Sequence, residues 1–260
     1  MDILERIVID KRKEIAFKKQ LLPHKQLEAM PLFDRRCHSV SQNLLNSPSG
    51  IIAEHKRRSP SKSVINNNHK VWEVAKGYQK AGVSAISVLT DLPYFGGGLE
   101  DLQLARASVD VPLLRKDFTI DPYQIIEAKA YGADFILLIA AVLTRSEIKE
   151  YSELAQSLGL EVLLEVHNSE ELHKSIMPSL NLIGVNNRNL KTFEVSTQIS
   201  KDLSQEIPTE FIKISESGIS DVETIKELKT NGFQGFLIGE NFMKTEDPEA
   251  AATKFVRQFH

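Results

Sequence analysis

Cysteine is almost missing from this chain. Cys37 stands alone, so no internal disulfide can form and no cysteine metal cluster is available. Cys37 is expected to be inert. A strong charge of one sign is missing as well: the formal net charge is −3, which gives no bulk attraction to nucleic acid or acidic membranes. Any anion must therefore be held by a local site. Long apolar runs are absent too. The longest, Phe135 to Leu143, falls well short of the roughly 20 residues that span a bilayer, and no signal-peptide pattern opens the chain. A soluble, cytoplasmic protein with no nucleic-acid or membrane partner is expected. Finally, no G-x-G-x-x-G opens a helix after the first strand-like run. The one glycine cluster, Gly96-Gly97-Gly98, follows Asp91-Leu92-Pro93 and reads as a flexible loop, so a dinucleotide fold has little support.

What is present is enough apolar sequence, 42% of 260 residues, for one large core of about the size of an α/β barrel. Length alone also allows two smaller domains. Asp2 to about Leu22 reads as a helix, with Asp2 as its cap, apolar residues at Ile3, Leu4, Ile7, Val8, Ile15 and Leu22, and Pro23 beyond. The basic run Lys11-Arg12-Lys13 and the pair Lys18-Lys19 read as a solvated face rather than an anion site. After a loose segment with Pro31, Pro48 and Gly50, short β-rich runs recur at Ile51–Ala53, Ala85–Leu89, Val111–Leu114, Phe135–Ile139, Val162–Leu164, Leu182–Val185, Phe211–Ile214 and Gly235–Ile238. Helix-period segments lie between them, such as Val71, Val74, Ala75 and Tyr78. Helix starts are signalled by Asp121-Pro122, Asp247-Pro248, and the capping-box pairs Thr144 with Glu147 and Ser220 with Glu223. Alternating strands and helices imply parallel βαβ units. The expectation is an α/β protein, a (β/α)₈ TIM barrel spanning residues 1–260 as a single domain, with residues 1–48 as an N-terminal helical extension.

Active sites of such barrels lie at the C-terminal ends of the strands, and there the polar residues fall. Ile51-Ile52-Ala53 runs into Glu54-His55-Lys56, and a strand's period of two turns Ile52, Glu54 and Lys56 to one face, toward the interior. A buried acid and base cost several kcal/mol each unless paired or used. Thr90 and Asp91 follow the second run, Arg115-Lys116-Asp117 the third, Glu165 the fifth, Asn186 and Arg188 the sixth, Glu216-Ser217-Gly218 the seventh, and Gly239-Glu240 the eighth. Singly, each has a plainer reading: Arg115 with Asp117 as a surface pair, Glu216 as a turn acid, Asn186-Asn187 as a polar turn. Collectively they are expected to converge. Glycines at the ends of the last two strands let backbone N–H groups approach phosphate oxygens, and Glu240-Asn241-Phe242-Met243 can form a short helix there. A phosphorylated substrate is inferred.

In order, IIAEHKRRSPS, AISVLTD with YFGGGLEDL, VPLLRKDF, ILLI, LLEVH, IGVNNRNL, ISESGI and FLIGENFM resemble the indole-3-glycerol-phosphate synthase family from about Ile51 to Met243, and the helix before the first strand resembles that family's extension. The resemblance implies a decarboxylating lyase of tryptophan biosynthesis that closes an anilino deoxyribulose phosphate into an indole, with no cofactor and no metal. It implies Lys116 as general acid at the ketone, Glu165 as general base in the later dehydration, and Glu54 as a further acid or base. Lys56, Ser59, Asn186, Arg188 and Glu216 would bind substrate, and Ser217, Gly218, Gly239 and Glu240 the phosphate. A lysine suits this role if desolvation and a cationic neighbour lower its pKa. Ser63 stands where the family commonly has glycine, and Glu240 where many members have serine. An acid beside a phosphate is unfavourable unless it turns away, although backbone N–H groups can still bind. His55 and His167 are expected to face helices or solvent. The chain is expected to be a monomer without a fused partner domain.

Two other readings stay open on residues alone. One is another phosphate-binding barrel, a sugar-phosphate isomerase or epimerase, or a Schiff-base aldolase with Lys56 or Lys116 as nucleophile. The other is a catalytically inactive barrel that binds a phosphate ligand or a partner.

Overall fold

Short β-branched runs that are apolar on both faces form strands only if both faces are covered, and each of the eight runs does so. The computed structural model describes residues 2–60, 62–189 and 192–259; Ser61 of the Ser-Pro-Ser turn and Leu190 of IGVNNRNL lie outside the described residues. The strands are β1 (Ile51–His55), β2 (Ala85–Leu89), β3 (Leu113–Lys116), β4 (Phe135–Ile139), β5 (Glu161–Val166), β6 (Leu182–Asn186), β7 (Ile212–Glu216) and β8 (Gly235–Ile238). They pair in parallel in chain order. β8 closes on β1 through Ile51 with Phe236, Ile52 with Leu237 and Ala53 with Ile238, completing a (β/α)₈ barrel. Five strands run beyond their apolar stretch to take in Glu54, Lys116, Glu165, Asn186 and Glu216. At the mouth these side chains meet counter-charges, so the backbone ladder continues where hydrophobicity alone would end it.

Two cores follow from the period of two. Ile52, Leu114, Leu137, Leu163, Leu182 and Ile214 fill the barrel, while Ala53, Val88, Ile136, Leu164, Val185 and Ile238 face the surrounding helices. The floor is sealed by Val40 and Leu44 of a short helix, Val40–Leu45, preceding β1. Glu161 at the foot of β5 accepts from the Ser41 backbone N–H at 2.9 Å and from the hydroxyls of Ser39 and Ser41, which pins this plug.

The N-terminal helix α1 (Ile3–Leu21) begins with a capping box between Asp2 and Glu5 and buries Ile7 and Ile15. Its basic run corrects the sequence expectation. Lys13 is solvated, but Lys11 is 2% exposed, with Nζ 2.9 Å from Asp91, 3.1 Å from Asp117 and 2.8 Å from Glu14. Lys18 and Lys19 also have partners, Glu127 within helix Pro122–Ala130 and Asp121 at its N-cap. The reason is that three carboxylates compensate the burial of one ammonium, which spacing along α1 does not reveal. Thr144 with Glu147 and Asp247 with Pro248 start helices as expected. Ser220 does not: Asp221 caps helix Val222–Thr230, accepting the Thr224 N–H at 2.8 Å, since the carboxylate is the stronger acceptor. Gly96–Gly98 joins two helical segments, Leu92–Phe95 and Leu99–Arg106, rather than forming a long loose loop.

Candidate active site

The inward register that places Ile52 in the core places Glu54 one step above it, and the same step in β3, β5, β6 and β7 presents Lys116, Glu165, Asn186 and Glu216. These side chains line a cavity of about 550 Å³ at the C-terminal mouth, within the usual range for small-ligand sites. Lys56, Ser59, Arg188, Ser217, Gly218, Gly239 and Glu240 line it too, so the site residues named on the family resemblance reach one space.

Lys116 Nζ lies 3.5 Å from Glu165 Oε2 and 3.9 Å from Glu216 Oε2. Glu54 accepts from Lys56 Nζ at 2.9 Å and from Ser87 Oγ at 3.2 Å. Asn186 bonds the Glu165 carboxylate with its side chain, and its Oδ1 accepts the Arg188 backbone N–H at 3.0 Å. Three buried carboxylates therefore share two ammonium groups, and the charges sort accordingly. Burial opposes ionisation of Glu54, but Lys56 and Lys116 outweigh it and hold its pKa below the ordinary value. Glu165 is likewise raised by burial and lowered more by Lys116 and His167. Glu216 is left over: burial and the neighbouring Glu165 charge push it up to about 8. Lys116 corrects an expectation. Burial works against its charge, yet Glu165, Glu216 and Glu54 outweigh burial and raise its pKa above the ordinary lysine value. The cluster thus favours Lys116 as an ammonium, Glu54 and Glu165 as carboxylates and Glu216 as the neutral acid.

Two glycines make room for these groups. A side chain at Gly184 would bring a Cβ within 2.2 Å of Glu216 Oε1, and one at Gly239 within 2.6 Å of Glu54 Oε1. Glu240, opening helix Glu240–Met243, turns its carboxylate to Lys62 Nζ at 3.0 Å, so the acid has a counter-charge of its own. Ser217 and Gly218 both have left-handed backbone, with φ of 68° and 76°, and curl the end of β7 into the cavity wall.

Other strand-end residues do not converge. Arg115, 2% exposed, is turned outward to Glu127 at 2.7 Å and Asp117 at 3.0 Å, a buried pair rather than a surface one. Thr90 donates to Asp117 at 2.7 Å, and Asp91 caps the next helix while holding Lys11. Asn187 ties Ser215 to Ser200 behind the barrel. His55 is buried on the outer face, where burial and Arg57 lower its pKa to about 4. His167 meets helix Ser169–Ser175 through Nδ1, 3.1 Å from Glu171 Oε2, and does not line the cavity, but its Nε2 lies 3.5 Å from Glu165 Oε1. Sequence reasoning also missed the apolar wall of Ile3, Leu4 and Ile7 from α1 with Phe95 and Phe118, whose rings lie 6.0 Å apart. The aromatic next to Arg115-Lys116-Asp117 was the available signal.

Against known proteins, the family model described as indole-3-glycerol phosphate synthase matches residues 4–255. An indole-3-glycerol phosphate synthase of Bacteroides thetaiotaomicron is 47% identical over 98% of both chains. That of Aliarcobacter butzleri is 43% identical over 97% of this chain and 98% of its own. Among solved structures, KGPDC from Streptococcus mutans superposes with a TM-score of 0.63 at 12% identity, covering 82% of this chain and 98% of its own. Thiamine phosphate pyrophosphorylase from Pyrococcus furiosus gives 0.61 at 16%, over 83% and 98%. At such identities these two share the fold alone.

Proposed function

The chain belongs to the indole-3-glycerol phosphate synthase family, a family of decarboxylating lyases, and on that premise we propose how its residues turn carboxyphenylamino-deoxyribulose phosphate into indole-3-glycerol phosphate. The observation that carries the reading is Lys116 Nζ set in the cavity 3.5 Å from the Glu165 carboxylate and 3.9 Å from that of Glu216. As the ring carbon bearing the carboxylate attacks the ketone, negative charge grows on the ketone oxygen. Lys116, kept charged by its neighbours, gives that oxygen a proton. The carboxylate then leaves as carbon dioxide and the ring regains aromaticity. Loss of the new hydroxyl, which takes a proton from Lys116 once solvent has recharged it and leaves as water, with removal of a proton from the carbon beside nitrogen, completes the indole, and Glu165 takes that second proton. Glu54, paired with Lys56, stands by as a further base.

Binding divides along the cavity. The apolar wall from α1, Phe95 and Phe118 suits the aryl ring. Lys56, Ser59, Asn186 and Arg188 suit the carboxylate and hydroxyl groups, and neutral Glu216 both donates and accepts toward hydroxyls. Backbone N–H groups at Ser217, Gly218, Gly239 and Glu240 take the phosphate, with Glu240 drawn aside by Lys62. We further propose a cytoplasmic monomer; among the described residues no helix is long and apolar enough to cross a membrane. The test is incubation with the anilino substrate and its dephospho analogue while following indole fluorescence. Turnover of the first with a sharply higher KM for the second is expected; equal KM values would remove the phosphate site.

A further inference from the structure

His167 follows β5, and only 11% of its side chain is exposed. Its Nδ1 lies 3.1 Å from Glu171 Oε2, the oxygen that also accepts the His167 backbone N–H at 2.9 Å. Glu171 is itself fixed, because Asn168 caps helix Ser169–Ser175 through the Glu171 N–H and donates its Nδ2 to Glu171 Oε1 at 3.0 Å. The ring therefore has one orientation. Its other nitrogen, Nε2, is buried without a hydrogen bond and is directed at Glu165 Oε1, 3.5 Å away, while Glu165 Oε2 faces Lys116.

We propose that His167 is a positioning residue for Glu165, an imidazolium anchored by Glu171 that aims the Glu165 carboxylate and favours its ionised form. The proposal rests on the reading of Glu165 as the base. Its chemistry follows from the two nitrogens. With Nδ1–H given to Glu171, a neutral ring would turn a lone pair on the Glu165 carboxylate, which repels; a proton on Nε2 makes the contact attractive. The charged groups facing the ring agree. Glu171 comes from its own loop-helix segment, Glu165 from β5 and Glu216 from β7, and Lys116 lies beyond Glu165. Burial disfavours the imidazolium, but the carboxylates outweigh burial and raise the His167 pKa. A positive charge at Nε2 in turn lowers the Glu165 pKa, so removing it must raise that pKa.

The test is a ¹³C-carboxyl NMR titration of the full chain labelled at glutamate, with the Glu165 signal assigned by its loss in Glu165→Gln. In His167→Ala the Glu165 midpoint should move to higher pH, and the acidic limb of kcat should move with it. kcat should fall about 10- to 100-fold, the scale on which partners that orient a reacting group count, while KM stays near the parent value. His167→Gln replaces a donor without the charge. It should recover much of kcat yet leave the midpoint displaced, a split that mere loss of packing does not produce. An unmoved Glu165 midpoint in both folded variants would overturn the proposal. A moved midpoint, with Glu165→Gln dehydrating at the parent rate, would uphold the positioning role and remove the base assignment instead.

Discussion

Glu216 carries a pH dependence that can be worked out from its surroundings. Its folded pKa lies at about 8 against an ordinary 4.5, so folding favours its protonated form. The stabilising proton is fully present in both states below about 4.5, and the folded state then loses ground as pH rises toward about 8. Glu216→Gln has no such loss. It should therefore gain stability over the parent through that window, on the order of a few kcal/mol, and the gain should level off above it. Urea titrations across pH would show this, and a gain independent of pH would refute the neutral acid. At this scale the sequence made placement legible, not role: Glu54, Lys116, Glu165, Asn186 and Glu216 each stand at the last inward step of a strand, while their roles rested on the family resemblance. Their charge states were not legible. Whether Lys116 is raised or lowered depends on how many carboxylates surround it across three strands, and the distribution of protons among Glu54, Glu165 and Glu216 is a property of the cluster.

Elements hold the cluster by what they omit as well as by what they carry. Gly239 follows β8 where Glu54 of β1 needs space: Oε1 lies 2.6 Å and Cβ 3.0 Å from the position of an added methyl. Since Glu54 is also tied to Lys56 and Ser87, it cannot simply move aside. Gly239→Ala should therefore lower kcat by about 10²-fold, the usual cost of an ångström of misplacement, in addition to any effect on phosphate affinity. Parent-like kcat in steady-state assays would show the hollow to be dispensable. The sequence marked Gly239 as a candidate phosphate glycine but contained no sign of the space it leaves for Glu54, because Glu54 is a neighbour only through closure of β8 on β1. α1 offers a similar case. Lys11 docks this helix through Asp91 and Asp117, which are both 1% exposed. Burial alone would push Asp117 up, and Lys11 with Arg115 brings it well below the usual carboxylate range. Lys11→Met leaves Asp91 without its cation and Asp117 with Arg115 alone, and should cost about 3–5 kcal/mol in denaturant unfolding. A loss under about 1 kcal/mol would mean an exposed, dispensable pair.

For the molecule as a whole, parallel strands closed in chain order turn a scatter of polar residues along the chain into one ring of charges. That architecture was legible, since short two-faced apolar runs alternating with helical periods leave few alternatives. The docking of α1 onto the mouth was not, because a helix with a mostly polar stripe has no local mark of the acids it will meet. The central claim is that this ring divides its work, with Lys116 starting ring closure and Glu165 ending the dehydration. Rapid quench of carbon dioxide release against indole formation tests it most directly. Lys116→Met removes the donor and should slow both products together, by roughly 10²- to 10⁴-fold. Glu165→Gln leaves the donor in place, so carbon dioxide should appear before indole. Near-parent rates in Lys116→Met, or equal loss of carbon dioxide release in the two variants, would contradict the division.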